Sequence, residues 1–410
     1  MIILSLPPIP YGKHIWPKFK RDQINSSFYA SSVISNVSMV FTGYDTETNV
    51  CYVYNLGIDG NMLWRTQLPN GTQPLDLSMD DNYIYVPSNT GVLYALKIKD
   101  GSIVWQYSVP GQVSPVTIDQ NDNLYFSVRG SNTGYVYSLN SYGSFRWSYQ
   151  TPTNYNVIQE QAPLIDTYGN IYIELDSTIL NGKSIVQFSQ SGNVNWIGTF
   201  GTATYSNGYF QQLCCNMYGT IIFCNTQTNV TAFDPNGNQI WTYGGSLENH
   251  YDTISISNSG SIVYLYSSGF IGLNASTGSQ VFTVNTVPGG GLNYPPNVPV
   301  GSFVNDVVFL ITTEGIYSMD TSGNTIQINS IRGYNMLSID SNNNIYFPTK
   351  NVMYVTNMQG QILFQYTDPD ITSNSGVLGD PIVLSPPSSK NILPCYRCCN
   401  GMISSRMKYN

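Results

Sequence analysis

The feature that most constrains this 410-residue chain is a glycine followed four residues later by an aromatic, returning about every forty residues. The pairs are Gly60–Trp64, Gly101–Trp105, Gly143–Trp147, Gly192–Trp196, Gly237–Trp241, Gly278–Phe282 and Gly360–Phe364, with Gly323–Gln327 as a copy that has lost its aromatic. Successive glycines are 41, 42, 49, 45, 41, 45 and 37 residues apart, and five of the six tryptophans sit in this one register. A fixed period of this length is the mark of a repeat architecture, in which each unit buries its apolar faces only against its neighbours.

Each glycine follows a short run of β-branched and aromatic residues, such as Leu93-Tyr94-Ala95-Leu96 or Ile316-Tyr317-Ser318-Met319. Such runs suit half-buried strands. Asp, Asn, Ser or Thr comes just before the glycine in six of the eight copies, Tyr142 and Gln359 being the exceptions, which is hairpin chemistry: glycine takes a positive φ without a Cβ clash. Upstream lies a second strand–turn–strand unit, as in Val116–Asp119 leading into Asn123–Phe126 and Leu337–Asp340 leading into Asn344–Phe347. One repeat is therefore four short antiparallel strands, which is one propeller blade. The spacing predicts an all-β, single-domain β-propeller of eight blades, with seven left open by the Gln327 copy. Val377–Ser385 resembles the opening strand of a blade and is expected to close the ring against blade 1, whose own strands are expected near Ser31–Ile34, Ser38–Thr42, Cys51–Leu56 and Met62–Gln67.

The unit Ala-Leu-x-x-x-x-Gly-x-x-x-Trp resembles the PQQ-type, or quinoprotein-like, propeller repeat over roughly residues 24–385. That family includes quinoprotein dehydrogenases and non-enzymatic relatives such as the outer-membrane assembly propeller, and the non-enzymatic branch is the expectation here. The domain plan that follows is a Pro-rich basic arm over 1–23, the propeller over 24–385, and a basic, cysteine-bearing tail over 386–410.

Charge is scarce and uneven. Only 10% of residues are charged, and the net charge is −8. The two ends, 1–22 and 386–410, hold eight of the 16 basic residues and one acid, Asp22. The rest holds eight basic and 23 acidic residues, a balance of −15. An acidic disc argues against nucleic acid on the propeller faces, because phosphate contacts need Lys and Arg. The basic ends are either ordinary solubilising charge or arms that dock on an acidic partner. The low charge, with Asn, Ser, Thr, Gln and Tyr in its place, resembles proteins of AT-rich genomes, including giant viruses. No apolar run reaches the length of a membrane span. The N-terminal Met1–Pro8 stretch lacks the basic start and apolar length of a signal peptide, so the expectation is a soluble protein of undetermined compartment, with the virion as a candidate.

Groups that could carry chemistry are few. The quinoprotein resemblance implies a vicinal disulfide and a Trp packed on either face of the quinone, with Ca²⁺ in the central funnel. Cys214-Cys215 is a vicinal pair, but it opens blade 5 rather than an early blade. No calcium-ligand set or catalytic Asp matches residue by residue. The alternative is two small buried strand residues. Cys395-x-x-Cys398-Cys399 is half of a zinc spacing without its second half. It suits a tail disulfide in an oxidising compartment, or plain thiols. With only His14 and His250 in the chain, a Ser-His-Asp site has almost no material. The Asp-x-Asn-x-Asn spacings at Asp119–Asn123 and Asp340–Asn344 look like calcium loops but lack the distal Glu, and read as Asx turns. The expected function is thus a non-catalytic protein-interaction or structural module without cofactor, working in a homo- or hetero-assembly. A PQQ- and Ca²⁺-dependent oxidoreductase and a glycan-binding, Tyr-rich propeller are the alternatives.

Overall fold

The computed structural model describes residues 28–30 and most of 38–385. Residues 1–27, 31–37, 203–212, 216–221, 245–252, 285–299, 386–410 and a few shorter stretches lie outside the described residues. The basic arm, the tail with Cys395, Cys398 and Cys399, and both histidines therefore lie outside them too.

The described residues form strands and turns and no helix. The strands make eight sheets that follow one another along the chain. In the third blade the order is Thr117–Ile118, Leu124–Arg129, Gly134–Leu139 and Phe145–Gln150, each antiparallel to the next. The first of these is short and the last, which carries Trp147, is the free outer edge. Glycines at the outer hairpin adopt the left-handed conformation, φ +70° at Gly101 and +78° at Gly143. The register slips by one residue just beyond, between Ala95 and Leu96 and between Ser138 and Leu139. A turn followed by a one-residue bulge needs a positive φ at its last position, which only glycine adopts without strain.

The aromatic four residues on bridges to the next blade. Trp64 Nε1 donates to Ile98 O at 2.8 Å, Trp105 to Ser141 O at 3.0 Å, Trp147 to Gln190 O at 3.0 Å, Trp196 to Pro235 O at 2.9 Å and Trp241 to Ala275 O at 3.0 Å. Each indole also lies over the glycine of the following blade. A Cβ at Gly143 would come 2.8 Å from Trp105 Cδ2, and one at Gly237 would come 2.7 Å from Trp196 Cδ2. So the repeat glycine has two reasons to lack a side chain: its own φ and its neighbour's ring. Phe282 covers Gly323 in the same way, and Phe364 covers Gly60. That last contact joins blade 8 to blade 1 and makes eight junctions in a closed ring.

The degenerate copy is resolved by a register change. In blade 7 the bulge moves to between Ile316 and Tyr317, so Ile328 is the residue skipped. Ile328 packs against the core of Ile311, Ile316 and Ile345, and Gly360 faces its backbone. An aliphatic group displaced along the strand thus fills the place that Gln327 vacates.

Ring closure is as expected from Val377–Ser385. The Ser31–Ile34 stretch lies outside the described residues. The inner position is supplied by the C-terminal strands Gly376–Leu378 and Ile382–Ser385, both antiparallel to Ser38–Asp45. The N-terminal strand Phe28–Ala30 adds itself parallel to Ile382–Ser385. Both ends of the described chain are therefore hydrogen-bonded into one blade, which leaves no open seam for the ring to part along.

Candidate functional site

Asp119 and Asp340, in inner turns, were the residues with cation-binding spacing. Asp119 Oδ1 accepts the amides of Asn121 at 2.8 Å and Asn123 at 2.9 Å, while Oδ2 accepts Asn123 Nδ2 at 2.8 Å and the Tyr125 hydroxyl at 2.9 Å. Asp340 repeats the set with Asn342, Asn344 and Tyr346, and Asp166 with Tyr168, Asn170 and Tyr172. Four donors fill the acceptor capacity of a carboxylate, so these are Asx turns closed by a buried tyrosine. Asp80 does the same with Asn82, Tyr83 and Tyr85. Burial and the facing aspartate push the hydroxyls of Tyr125, Tyr172 and Tyr346 upward, which keeps them protonated donors. The signal was present as Asp-x-x-x-Asn-x-Tyr, but sequence reasoning stopped at the turn and missed the tyrosine.

Cys214 and Cys215 lie in the strand Leu213–Cys215, opposite Phe223 and Ile222 of the antiparallel neighbour. Successive side chains of a strand point to opposite faces. Both are fully buried in the core cluster that spans blades 4 to 6, and both stand as thiols. A bond between adjacent cysteines would have to break this register. Burial, with the charge of Asp166 behind it, pushes the Cys215 thiol well up, away from the thiolate that redox chemistry needs.

A buried ionic cluster was not foreseen. Residues Asp176–Lys183 read as an insertion in blade 4. The structure places the strands Ile171–Ser177 and Gly182–Phe188 on either side of that connection, and a third strand, Tyr155–Val157, pairs onto the first. Glu174 is fully buried, and its Oε2 accepts Gln161 Nε2 at 3.0 Å. Its Oε1 has no partner among the described residues. Lys183 Nζ sits 2.8 Å from Asp176 Oδ1, with the lysine 2% exposed. Arg129 reaches in from blade 3 to donate to Val157 O at 2.9 Å. Burial pushes the Glu174 carboxyl up to about 8, although Gln161 and Lys183 pull it back. Burial also lowers the Lys183 ammonium, which Asp176 opposes. The group can hold or release a proton, but it is sealed from solvent and so bears on stability. Among the described residues no cluster of three or more His, Cys, Asp or Glu could hold a metal.

Exposed apolar side chains gather on the outer rim of the described residues. The eight edge strands carry twelve exposed large apolar side chains, at least one on every blade, including Leu63, Val104, Phe145 and Ile326. Their only charged residues are Arg65 and Arg146. Arg65 lies over the Tyr52 ring, 4.4 Å from its centroid, and Arg146 donates to Tyr125, Ser138 and Gln190. Edge strands of globular proteins are ordinarily guarded by lysine or proline. None is present on these eight.

Residues 50–213 match the family model described as outer membrane protein assembly factor BamB. No curated protein matches the sequence. Among solved structures, BamB from Moraxella catarrhalis aligns at 14% identity over 83% of this chain and 96% of that one, with a TM-score of 0.55. The fold is that of the PQQ-like propellers. AztD from Citrobacter koseri aligns at 10% identity over 87% of this chain and all of its own, with a TM-score of 0.58. A europium-containing methanol dehydrogenase aligns at 10% identity over 87% and 86% of the two chains, with a TM-score of 0.57. At such identities the likeness is one of fold, and it spans proteins named for assembly and for catalysis alike. One scaffold hosts many functions. No helix among the described residues is long and apolar enough to cross a membrane.

Proposed function

We propose that this chain is a non-catalytic member of the PQQ-like propellers that acts as a protein-interaction or structural module. The observation that carries the reading is the rim: every blade turns outward an edge strand with at least one exposed large apolar side chain, and the eight together hold only two charged residues, Arg65 and Arg146. Exposed apolar side chains repeated on edge strands suit contact with a partner. The internal chemistry agrees with it. Both calcium-like turns, at Asp119 and Asp340, have their carboxylates filled by four donors each, and the vicinal cysteines lie on opposite faces of a core strand. The family model named for an assembly factor lends further support. The sparse charge of the sequence favours a place in a virion or surface assembly, with the basic segments 1–23 and 386–410 as further contacts for protein partners.

The experiment is an absorbance and metal scan of the purified protein, followed by titration with PQQ and Ca²⁺. No quinone chromophore and no stoichiometric calcium uptake is the expected result. A bound quinone with one calcium per chain would overturn the reading and make Cys214 and Cys215 the first residues to change.

A further inference from the structure

We propose that the basic C-terminal segment 386–410 docks on its own propeller, across the acidic face from which it emerges. The inference goes beyond the interaction-module reading and does not depend on it.

The face comes from the order of the strands. Four antiparallel strands in chain order put their first and third connections at one end and their second at the other. The inner Asx turns and the outer glycine hairpins therefore share one end of the ring. Eleven described aspartates stand in those turns, four in outer hairpins (Asp59, Asp100, Asp234 and Asp320) and seven in inner turns, against two lysines, Lys97 and Lys99. Asp59 and Asp100 are exposed, and Asp234 and Asp320 are half-buried. Hydrogen bonds from Asn61 and Ser102 hold the Asp59 and Asp100 carboxyls below the usual range, so both stay charged at neutral pH. At the opposite end the described acids are interspersed with Arg129, Lys183, Arg332 and Lys350.

The exit comes from the closing strand. Ile382–Ser385 runs antiparallel to Ser38–Asp45, with Leu384 opposite Ser38, and Ser38 in turn is opposite Gly57. Gly57 opens the hairpin that holds Asp59 and Gly60. Ser385 is thus level with that hairpin, and the chain beyond it leaves at the acidic end. Phe28–Ala30 runs parallel to the same strand, so the chain before Phe28 leaves from the opposite end.

The occupant follows from charge and reach. Residues 386–410 carry Lys390, Arg397, Arg406 and Lys408 and no acid. Lys390 is five residues beyond Ser385, a reach of about 18 Å when fully extended. Single exposed ion pairs are weak. A short tether, however, holds such a segment at an effective concentration of about a millimolar, and its four positive charges act on the face together. The N-terminal segment is basic too, but it starts from the other end. A partner that takes up the tail would first displace it from the face.

The test is limited trypsin digestion of the full chain, with the peptides followed by mass spectrometry. It is run at about 20 mM and about 500 mM salt, between which the screening length falls from about 20 Å to about 4 Å. Relative to cleavage after Lys18 and Lys20, cleavage after Lys390, Arg397, Arg406 and Lys408 is expected to be at least about fivefold slower at low salt than at high salt. The variant Asp59→Asn, Asp100→Asn, Asp234→Asn, Asp320→Asn is expected to lose that protection. Asparagine already stands in these hairpins at Asn140, Asn236 and Asn357, and Asn140 and Asn357 accept turn amides there, so the variant keeps its turns; its urea midpoint is compared with the wild type. Glu47→Gln with Glu314→Gln, exposed at the opposite end, should leave the protection in place. Carbodiimide coupling of the wild type needs no variant: Lys390 or Lys408 should be found joined to aspartates of the acidic face within a single-chain mass. Tail cleavage that does not respond to salt overturns the proposal. So does protection that the fourfold variant retains or the Glu47/Glu314 variant removes, and so does coupling found only between chains.

Discussion

Replacing Gly143 by alanine isolates what holds one blade to the next. Gly143 has φ +78°, and a Cβ there would lie 2.8, 3.0 and 3.2 Å from three atoms of the Trp105 indole. The left-handed backbone alone costs an alanine about 1–2 kcal/mol, partly offset by about 0.4–1 kcal/mol of lost unfolded-state freedom. Pushing a methyl into a packed ring adds about 1–3 kcal/mol. Gly71 supplies the control within the same molecule, because its φ is +81° and nothing lies within 4 Å of its would-be Cβ. Gly71→Ala should therefore destabilise by only about 1 kcal/mol, and Gly143→Ala by about 2–4 kcal/mol. The cycle with Trp105→Ala closes the argument. Trp105→Ala removes the indole, its bond to Ser141 O and its contact with Tyr85 at 5.8 Å between ring centroids. In that background Gly143→Ala should cost no more than Gly71→Ala. Urea unfolding midpoints of the four proteins and the control read this directly. Equal losses for Gly143→Ala and Gly71→Ala in the wild-type background would refute the interblade latch.

Four further outcomes follow from the same geometry. The neutral Glu174 carboxyl, raised from 4.5 to about 8 on folding, contributes stability in full below about pH 4.5 that is lost as pH rises towards about 8. Melting temperatures between pH 5 and 8 should therefore fall more steeply for the wild type than for Glu174→Gln; identical slopes would discount the buried proton. Asp119→Ala should destabilise by more than Tyr125→Phe, about 2–4 against about 1 kcal/mol, because the first leaves two turn amides and a buried hydroxyl unpaired, and chemical denaturation ranks the two. Thiol titration of the native protein should leave Cys51, Cys214 and Cys215 unmodified until it unfolds, since all three are buried; rapid native labelling of any of them, located by peptide mapping, would count against the core placement. Truncation after residue 375 removes the strands that complete blade 1, and should replace cooperative unfolding by a broad transition.

The architecture was legible because its cause is local and repeated. The Gly-x-x-x-Trp spacing reports both a left-handed glycine and the ring that covers the next one, so counting the motif counted the junctions. Blade 7 was harder to read: no residue of Gln327's type shows that the bulge shifts to let Ile328 fill the gap. The closing strand Val377–Ser385 was legible because it resembles the opening strand of other blades, whereas nothing in the sequence marks the parallel addition of Phe28–Ala30 beside it. The Asx turns were read, but the tyrosine that seals each carboxylate was not, since its hydroxyl arrives from the following strand. The Glu174–Lys183 cluster left no mark at all. Its members are scattered over Arg129, Gln161, Glu174, Asp176 and Lys183, and only the extra strand Tyr155–Val157 draws them together. The rim was also invisible in composition, because its apolar residues look like core until the sheet order shows that their strand is the last one.

Native mass spectrometry of the full chain, in the presence of PQQ and Ca²⁺, tests the central claim most directly. The account predicts the bare 45.5 kDa chain, with no added mass of quinone or calcium. A species carrying the added mass of one quinone and one calcium would contradict it.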